Sequence, residues 1–233
     1  RPGYISLEDI TDLELVGAND QQGKATTFWV KDNDLKEGQP MMLSIRKGSN
    51  VALKNIAVDM APYYYSAGKL IEVQGDKVAI EVFSGHPMID GQKAYIMGTY
   101  DLEARKAKAV RITWDEDLPQ WHIDGEESSR RMTMHFDPLA QLCRVGDGVF
   151  WFQGNHAGSM IGFSGINGLL LENVHILNGH GFPITNNSCH DITYRNVTIK
   201  PEGNRIATVC RDGFKLYAAS GKVLMDSVHI EGC

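Results

Sequence analysis

Asp212 stands between two cations, in Val209-Cys210-Arg211-Asp212-Gly213-Phe214-Lys215. A carboxylate beside Arg211 and Lys215 is favoured in its charged form, the state a general base needs. Gly213 lets a bulky ligand approach the backbone closely. The plainer alternative is an Asp-Gly turn in which the side chain bonds its own backbone. Asn186 and Asn187 follow the strand-like segment 182–185, the expected neighbour of the segment that carries Asp212. Their amides suit a hydroxyl-rich ligand, and a turn shared with Ser188 is the competing reading. His180, between Gly179 and Gly181, either reaches the same ligand or sits on a surface loop.

Other conspicuous residues have plainer explanations. Tyr63, Tyr64 and Tyr65 suit the apolar face of a ring-shaped ligand, but packing against the rest of the fold is the preferred reading. Trp114 and Trp121 flank an exposed loop over 114–121 and can touch a ligand from there. Asp115, Glu116 and Asp117 read as a solvated charge run, and Asp147, between two glycines, as a turn residue. His175 and His229 fall at equivalent positions of a repeat and read as solvent-facing strand residues rather than metal ligands. No metal and no cofactor is expected.

The elements that must position these residues repeat. Segments 51–58, 169–176, 192–199 and 223–230 share one pattern: apolar, any, apolar, polar, Asn or Ser, apolar, any, apolar. The fifth position holds Asn55, Asn173, Asn196 and Ser227. A weaker copy spans 10–16. Alternating apolar residues put one face of a strand into a core. The step after the Asn breaks the alternation and predicts a bend, where stacked Asn side chains can form a ladder. The interval of 23 from Asn173 to Asn196 lies within the roughly 20–50 residues of solenoid repeats. The longer step to Ser227 needs a loop excursion. The interval of 118 from Asn55 to Asn173 needs an insertion. The expected fold is all-β: a right-handed parallel β-helix over 1–60 and 150–233, in preference to a leucine-rich repeat or an antiparallel sandwich.

The insertion, over 61–149, is different in kind. Segment 68–82 reads as strand, Gly75-Asp76 turn and strand, a β-hairpin. Further strands are expected over 94–100, 107–114, 130–136 and 148–153. Local pairing of this sort predicts a small antiparallel barrel or sandwich.

Composition narrows the function classes. The chain has 233 residues, a net charge of −6 and no basic block, which argues against nucleic acid and anionic membranes as partners. No apolar run approaches the roughly 18 residues of a membrane helix. The four cysteines form no CxxC pair and are too sparse for a disulfide scaffold, so they read as free and buried. No leader is visible at Arg1-Pro2-Gly3, so the chain is either cytosolic or preceded by a signal peptide outside it. The abrupt end on the strand-like 222–230 predicts that these residues are part of a longer protein.

Taken in order, a starting strand, Asn55-Ile56-Ala57-Val58-Asp59, Pro62-Tyr63-Tyr64-Tyr65-Ser66-Ala67-Gly68-Lys69-Leu70, an inserted β domain, Gly146-Asp147-Gly148-Val149, the two Asn-Val coils and Asp212 through Gly221-Lys222-Val223 resemble glycoside hydrolase family 110, α-1,3-galactosidases of the parallel β-helix type. The resemblance covers nearly the whole chain in order of elements. It implies exo-hydrolysis of a terminal α-linked galactose from an oligosaccharide or polysaccharide, with inversion and without a metal. It implies that Asp212, nine positions before Gly221, is the first essential carboxylate. It also implies a carboxylate pair about one coil later, beyond Cys233. Where the family tends to carry a His three positions after the first Asp, this chain has Lys215. Arg211, Lys215, Asn186, Asn187 and His180 are the expected substrate-binding residues, a secreted or periplasmic location follows, and a homodimer stays open. Two other classes compete. Arg211 and Lys215 keep alive a polysaccharide lyase or epimerase on the same fold. A non-catalytic carbohydrate-binding β-helix module is the third, because fold does not fix function.

Overall fold

The computed structural model describes residues 5–19, 25–31, 42–112, 117–152, 159–179, 181–203, 205–207 and 212–232. The chain is all-β, and its internal contacts divide it into two units, Arg1–Ala61 with His156–Cys233, and Pro62–Asn155. The first is built on a parallel sheet and the second on an antiparallel one.

In the first unit five tiers stack in parallel register. Ile5–Val16 pairs with Leu43–Ala61, which pairs with Ser159–Ile176. The next tier is Phe182–Asn187 followed by His190–Ile199. The last is Phe214–Tyr217, Ser220–Asp226 and His229–Ile230. Thr26–Lys31 pairs with the end of Leu43–Ala61. The repeat in the sequence is this register. Val51 pairs with Leu169, Leu169 with Ile192 and Ile192 with Val223.

Registered pairing gathers like residues into columns. Leu43, Ile161, Ile184 and Phe214 form one inward column, and Val58, Ile176, Ile199 and Ile230 another. The middle tiers of these columns are fully buried. Each buried aliphatic side chain contributes about 1.5–3 kcal/mol of burial free energy.

Between the straight runs the backbone turns at left-handed residues, and these stack too. Asp9, Lys47, Gly165, Ser188 and Ala218 make the first corner. Asp12, Asn50, Gly168, Asp191 and Gly221 make the second, and Asn55, Asn173, Asn196 and Ser227 the third. Their φ values lie between +49° and +78°. Gly, Asn and Asp tolerate this region best, which is why those types dominate the corners. At the third corner the amides form the expected ladder. Asn196 Nδ2 donates to Asn173 Oδ1 at 2.7 Å, and Asn173 Nδ2 donates to Asn55 Oδ1 at 2.9 Å. At the second, Asn50 donates to Asp12 at 2.8 Å. Gly221 is needed for space as well as conformation. A Cβ there would lie 2.3 Å from Asp191 Oδ1, the atom that accepts a hydrogen bond from Lys222 N at 2.7 Å.

An outward column alternates in sign, Lys54, Glu172, Arg195 and Asp226. Arg195 lies 3.4 Å from Glu172 and 3.8 Å from Asp226. Exposed pairs of this kind contribute at most about 1 kcal/mol each, and a slip in register would separate them. His175 and His229 are separated in their column by Thr198, whose hydroxyl bonds His175 Nδ1 at 2.8 Å. The two histidines are thus two tiers apart, and no metal-ligating cluster occurs among the described residues. Burial, with Lys200 adding to it, pushes the His175 pKa down.

The second unit is an eight-stranded antiparallel sheet that runs from Gln92–Lys93 at one edge to Lys106–Ile112 at the other. Its central hairpin is Ser66–Gln74 with Lys77–Val82, turning at Gly75 with φ +61°. Leu70, Val78, Ile80, Met132, Val149 and Trp151 pack in its core. The expected exposed loop over 114–121 needs correction at its end. Gln120–Ile123 is a strand paired with Arg131–His135, and Trp121 is fully buried with its ring 4.7 Å from that of Trp151. A four-residue strand is too short for its alternation to show in the sequence. Trp121 therefore cannot meet a ligand; Trp114, Asp115 and Glu116 lie outside the described residues. Tyr64 and Tyr65 are buried, and the Tyr65 ring packs 5.4 Å from that of Phe152. Asp147 shapes a turn, accepting from Arg144 N at 2.8 Å and from Lys108 Nζ at 2.6 Å. Cys143 and Cys189 are free and buried, and burial raises the Cys143 thiol to about 11. Cys210 and Cys233 lie outside the described residues.

Asn173 tests the corner ladder. Asn173→Gly keeps the backbone conformation and loses the amide bonds, with the added unfolded-chain entropy of a glycine. Asn173→Val also forces a β-branched residue into the left-handed region, at a further cost of about 1–2 kcal/mol. Thermal denaturation should rank wild type above Gly and Gly above Val. A Val variant as stable as the Gly variant would show that the corner conformation is not limiting.

Candidate functional site

Strand alternation divides the tiers near Asp212 into an inner and an outer set. Ile184, Asn186, Phe214 and Leu216 follow the inward columns. On the outer side, register aligns Gly162 with Thr185 and Lys215, and Ser164 with Asn187 and Tyr217. Adjacent tiers lie about 4.8 Å apart, so these six residues share one face.

The face carries no side chain at Gly162. A Cβ built there would meet Ser159 Oγ at 3.3 Å and Thr185 Oγ1 at 3.5 Å. The Thr185 hydroxyl thus lies beside bare backbone. A glycine inside a strand is a recurrent mark of a place where another molecule comes close. One tier on, the Lys215 ammonium lies 4.2 Å from the centroid of the Phe182 ring and 5.0 Å from that of Tyr217. Phe182 is nearly buried beneath it, whereas Tyr217 is 47% exposed. Hydroxyls, an amide, an ammonium and an exposed aromatic ring are the groups that recognise a hydroxyl-rich ring with apolar C–H faces.

Asp212 sits just before Phe214–Tyr217 and is exposed. It forms no ion pair with Lys215. Gly213, next to it, is buried and packed against Ile230, where a Cβ would come within 2.8 Å of the Ile side chain. The residue after Asp212 is therefore glycine for close packing, and Asp212 itself is exposed two positions before the strand begins.

The other expected site residues divide. Lys215 stands on the outer face. Asn187 is there too and exposed, its Oδ1 accepting from Ser188 Oγ at 3.3 Å, a local turn contact. Asn186 is corrected. It occupies the inward column of Ile45, Phe163 and Leu216, is fully buried, and donates its amide to the Tyr194 hydroxyl. Strand alternation sends neighbouring asparagines to opposite sides, so only one of the pair can face a ligand. Arg211 and His180 lie outside the described residues. Thr185, Gly162 and Tyr217 were missed. Their signal was present: Tyr217 is two residues after Lys215, and Gly162 interrupts the alternation of 159–164.

A second polar centre lies at the ends of the strands. Arg205 Nη1 and Nη2 donate to Asp59 Oδ1 and Oδ2 at 3.0 and 2.7 Å, and Nη1 also donates to the Leu177 carbonyl at 3.2 Å. Asp59 is 2% exposed and Arg205 8%. Asn178, beside Leu177, is fully buried with no hydrogen bond to its amide. This fork ties Arg205 to the Leu43–Ala61 strand. Both partners are buried and paired, so its role here is structural.

No protein-family model matches the sequence, and no curated protein is similar to it.

The buried fork predicts strong coupling. Arg205→Ala leaves Asp59 buried without its counter-charge and should destabilise the protein by about 3–5 kcal/mol. Adding Asp59→Ala should restore part of the loss. Denaturant titration of both single variants and the double variant reads the coupling; additive losses would mean that the pair is not energetically joined.

Proposed function

We propose that the chain is a glycoside hydrolase built on a parallel β-helix carrying an inserted antiparallel β domain, acting on a terminal α-linked sugar of a glycan. The observation that carries this reading is the outer face itself. The Thr185 hydroxyl beside Gly162, the Asn187 amide, the Lys215 ammonium and the Tyr217 ring lie in adjoining register positions, with the exposed Asp212 just before the strand that carries Lys215 and Tyr217. The order of elements that resembles glycoside hydrolase family 110 supports the same class, and galactose is the sugar it favours.

In this reading Asp212 is one of the two carboxyl groups that inverting hydrolysis requires, about 6.5–9.5 Å apart. We assign it the role of the base that takes a proton from the attacking water. The second carboxyl protonates the leaving oxygen. In a parallel stack that separation corresponds to a diagonal or a two-tier step, so one outward face can carry both groups. Thr185 and Asn187 orient ring hydroxyls, and Tyr217 offers a face to the sugar's C–H surface.

The test is turnover of aryl α- and β-glycosides and galactose-terminated oligosaccharides, with proton NMR following the anomer first released. Release of the β-anomer from an α-linked substrate is expected. Asp212→Asn should lower kcat by about 10²–10⁴-fold with an unchanged circular dichroism spectrum. An Asp212→Asn protein as active as wild type removes the assignment of this carboxylate. An unsaturated sugar as product would replace hydrolysis by elimination, with Lys215 the base to examine.

A further inference from the structure

We propose that the sugar held on this face carries an anionic group, a carboxylate or a sulfate, and that Lys215 recognises it. The inference rests on the glycan-binding reading above and adds the charge of the substrate to it.

The geometry around the ammonium points this way. Several outward cations on the tiers have acidic partners: Arg46 and Lys47 pair with Glu8, Lys54 with Glu14, and Arg195 with Glu172 and Asp226, whereas the exposed Lys222 has no ion pair among the described residues. Lys215 has none among the described residues, although the exposed Asp212 is only three positions away. Its Nζ is held instead over Phe182 and beside Tyr217. Ring faces attract a cation without using its N–H donors as ordinary hydrogen bonds do. The ammonium is therefore located by the rings while its donors stay available on the half-exposed side. An anion arriving there meets a charge already in place, so little side-chain freedom remains to be lost.

The surroundings extend the site along the sugar. Thr185 is aligned directly with Lys215, and Gly162 directly with Thr185. Gly162 has no side chain, and the Thr185 hydroxyl lies beside it. Uncharged hydroxyl groups of the ligand fit beside Thr185, and its charged substituent fits the lysine end. Tyr217, on the other side of the ammonium, covers the apolar face of the same ring. A neutral sugar would leave the ammonium without a counter-ion while shielding it from water, which disfavours it relative to an anionic one.

The Lys215 side chain also packs its ammonium over Phe182, and that packing role must be separated from recognition. Lys215→Met keeps the stem and deletes the charge, and Lys215→Arg keeps the charge. Binding is measured by calorimetry on two matched pairs: a sulfated galactan oligosaccharide with its desulfated form, and a uronate-terminated oligosaccharide with its carboxyl-reduced form. The wild type should bind the charged member of one pair roughly tenfold more tightly, as a charge-assisted hydrogen bond of about 1.5 kcal/mol would give. The pair that discriminates identifies sulfate or carboxylate. Lys215→Met should lose the preference with its melting temperature kept, Lys215→Arg should retain it, and added salt should weaken it. Equal affinity of the wild type for both members of each pair overturns the proposal and leaves the glycosidase reading in place. A preference that survives Lys215→Met overturns the role of Lys215. Failure to bind any of the four overturns both.

Discussion

Everything on the parallel unit depends on keeping the left-handed corners in line from tier to tier. Each corner costs conformational free energy unless the residue is Gly, Asn or Asp. Placed in register, the corners recover part of that cost through amide ladders such as Asn55, Asn173 and Asn196. Misplaced by one residue, they would turn every inward side chain outward. The core columns, the alternating charges of Lys54, Glu172, Arg195 and Asp226, and the outer face near Asp212 are all consequences of that alignment. A face built this way is rigid because its residues sit on paired strands rather than on loops.

The same constraint explains what the sequence disclosed. A corner that must be Asn and a core position that must be apolar recur together, so the repeat was visible in four segments, and the register follows it. The hairpin over 68–82 was visible for a related reason: its Gly75-Asp76 turn chemistry is local. Lys215 and Asn187 were also legible as outward polar residues once the strand was located.

What was hidden depended on the third dimension. Asn186 sits in a core column because the inward space of its tier also holds the Tyr194 hydroxyl, 8 positions later in the chain. Nothing in the string marks that pairing. Asp59 and Arg205 meet across 146 positions, and neither lies in a recognisable motif. Trp121 looked like a loop residue because its strand contributes one buried side chain among three less buried ones. Gly162 became meaningful only when the Thr185 hydroxyl was found beside it.

The insertion also has a consequence for how the molecule comes together in time. The Leu43–Ala61 strand pairs directly with Ser159–Ile176, so two adjacent tiers are joined by the contact between Asn55 and Asn173, 118 positions apart. The next pair of tiers closes over only 23. For a flexible chain the longer loop carries about 1.4 kcal/mol more closure entropy. The intervening unit lowers that cost if it is already folded, since a structured segment has far less freedom to lose. Its hairpins are local in sequence and can form without the tiers. Local pairing in the antiparallel unit thus sets its folding apart from the long-range closure that the tiers require.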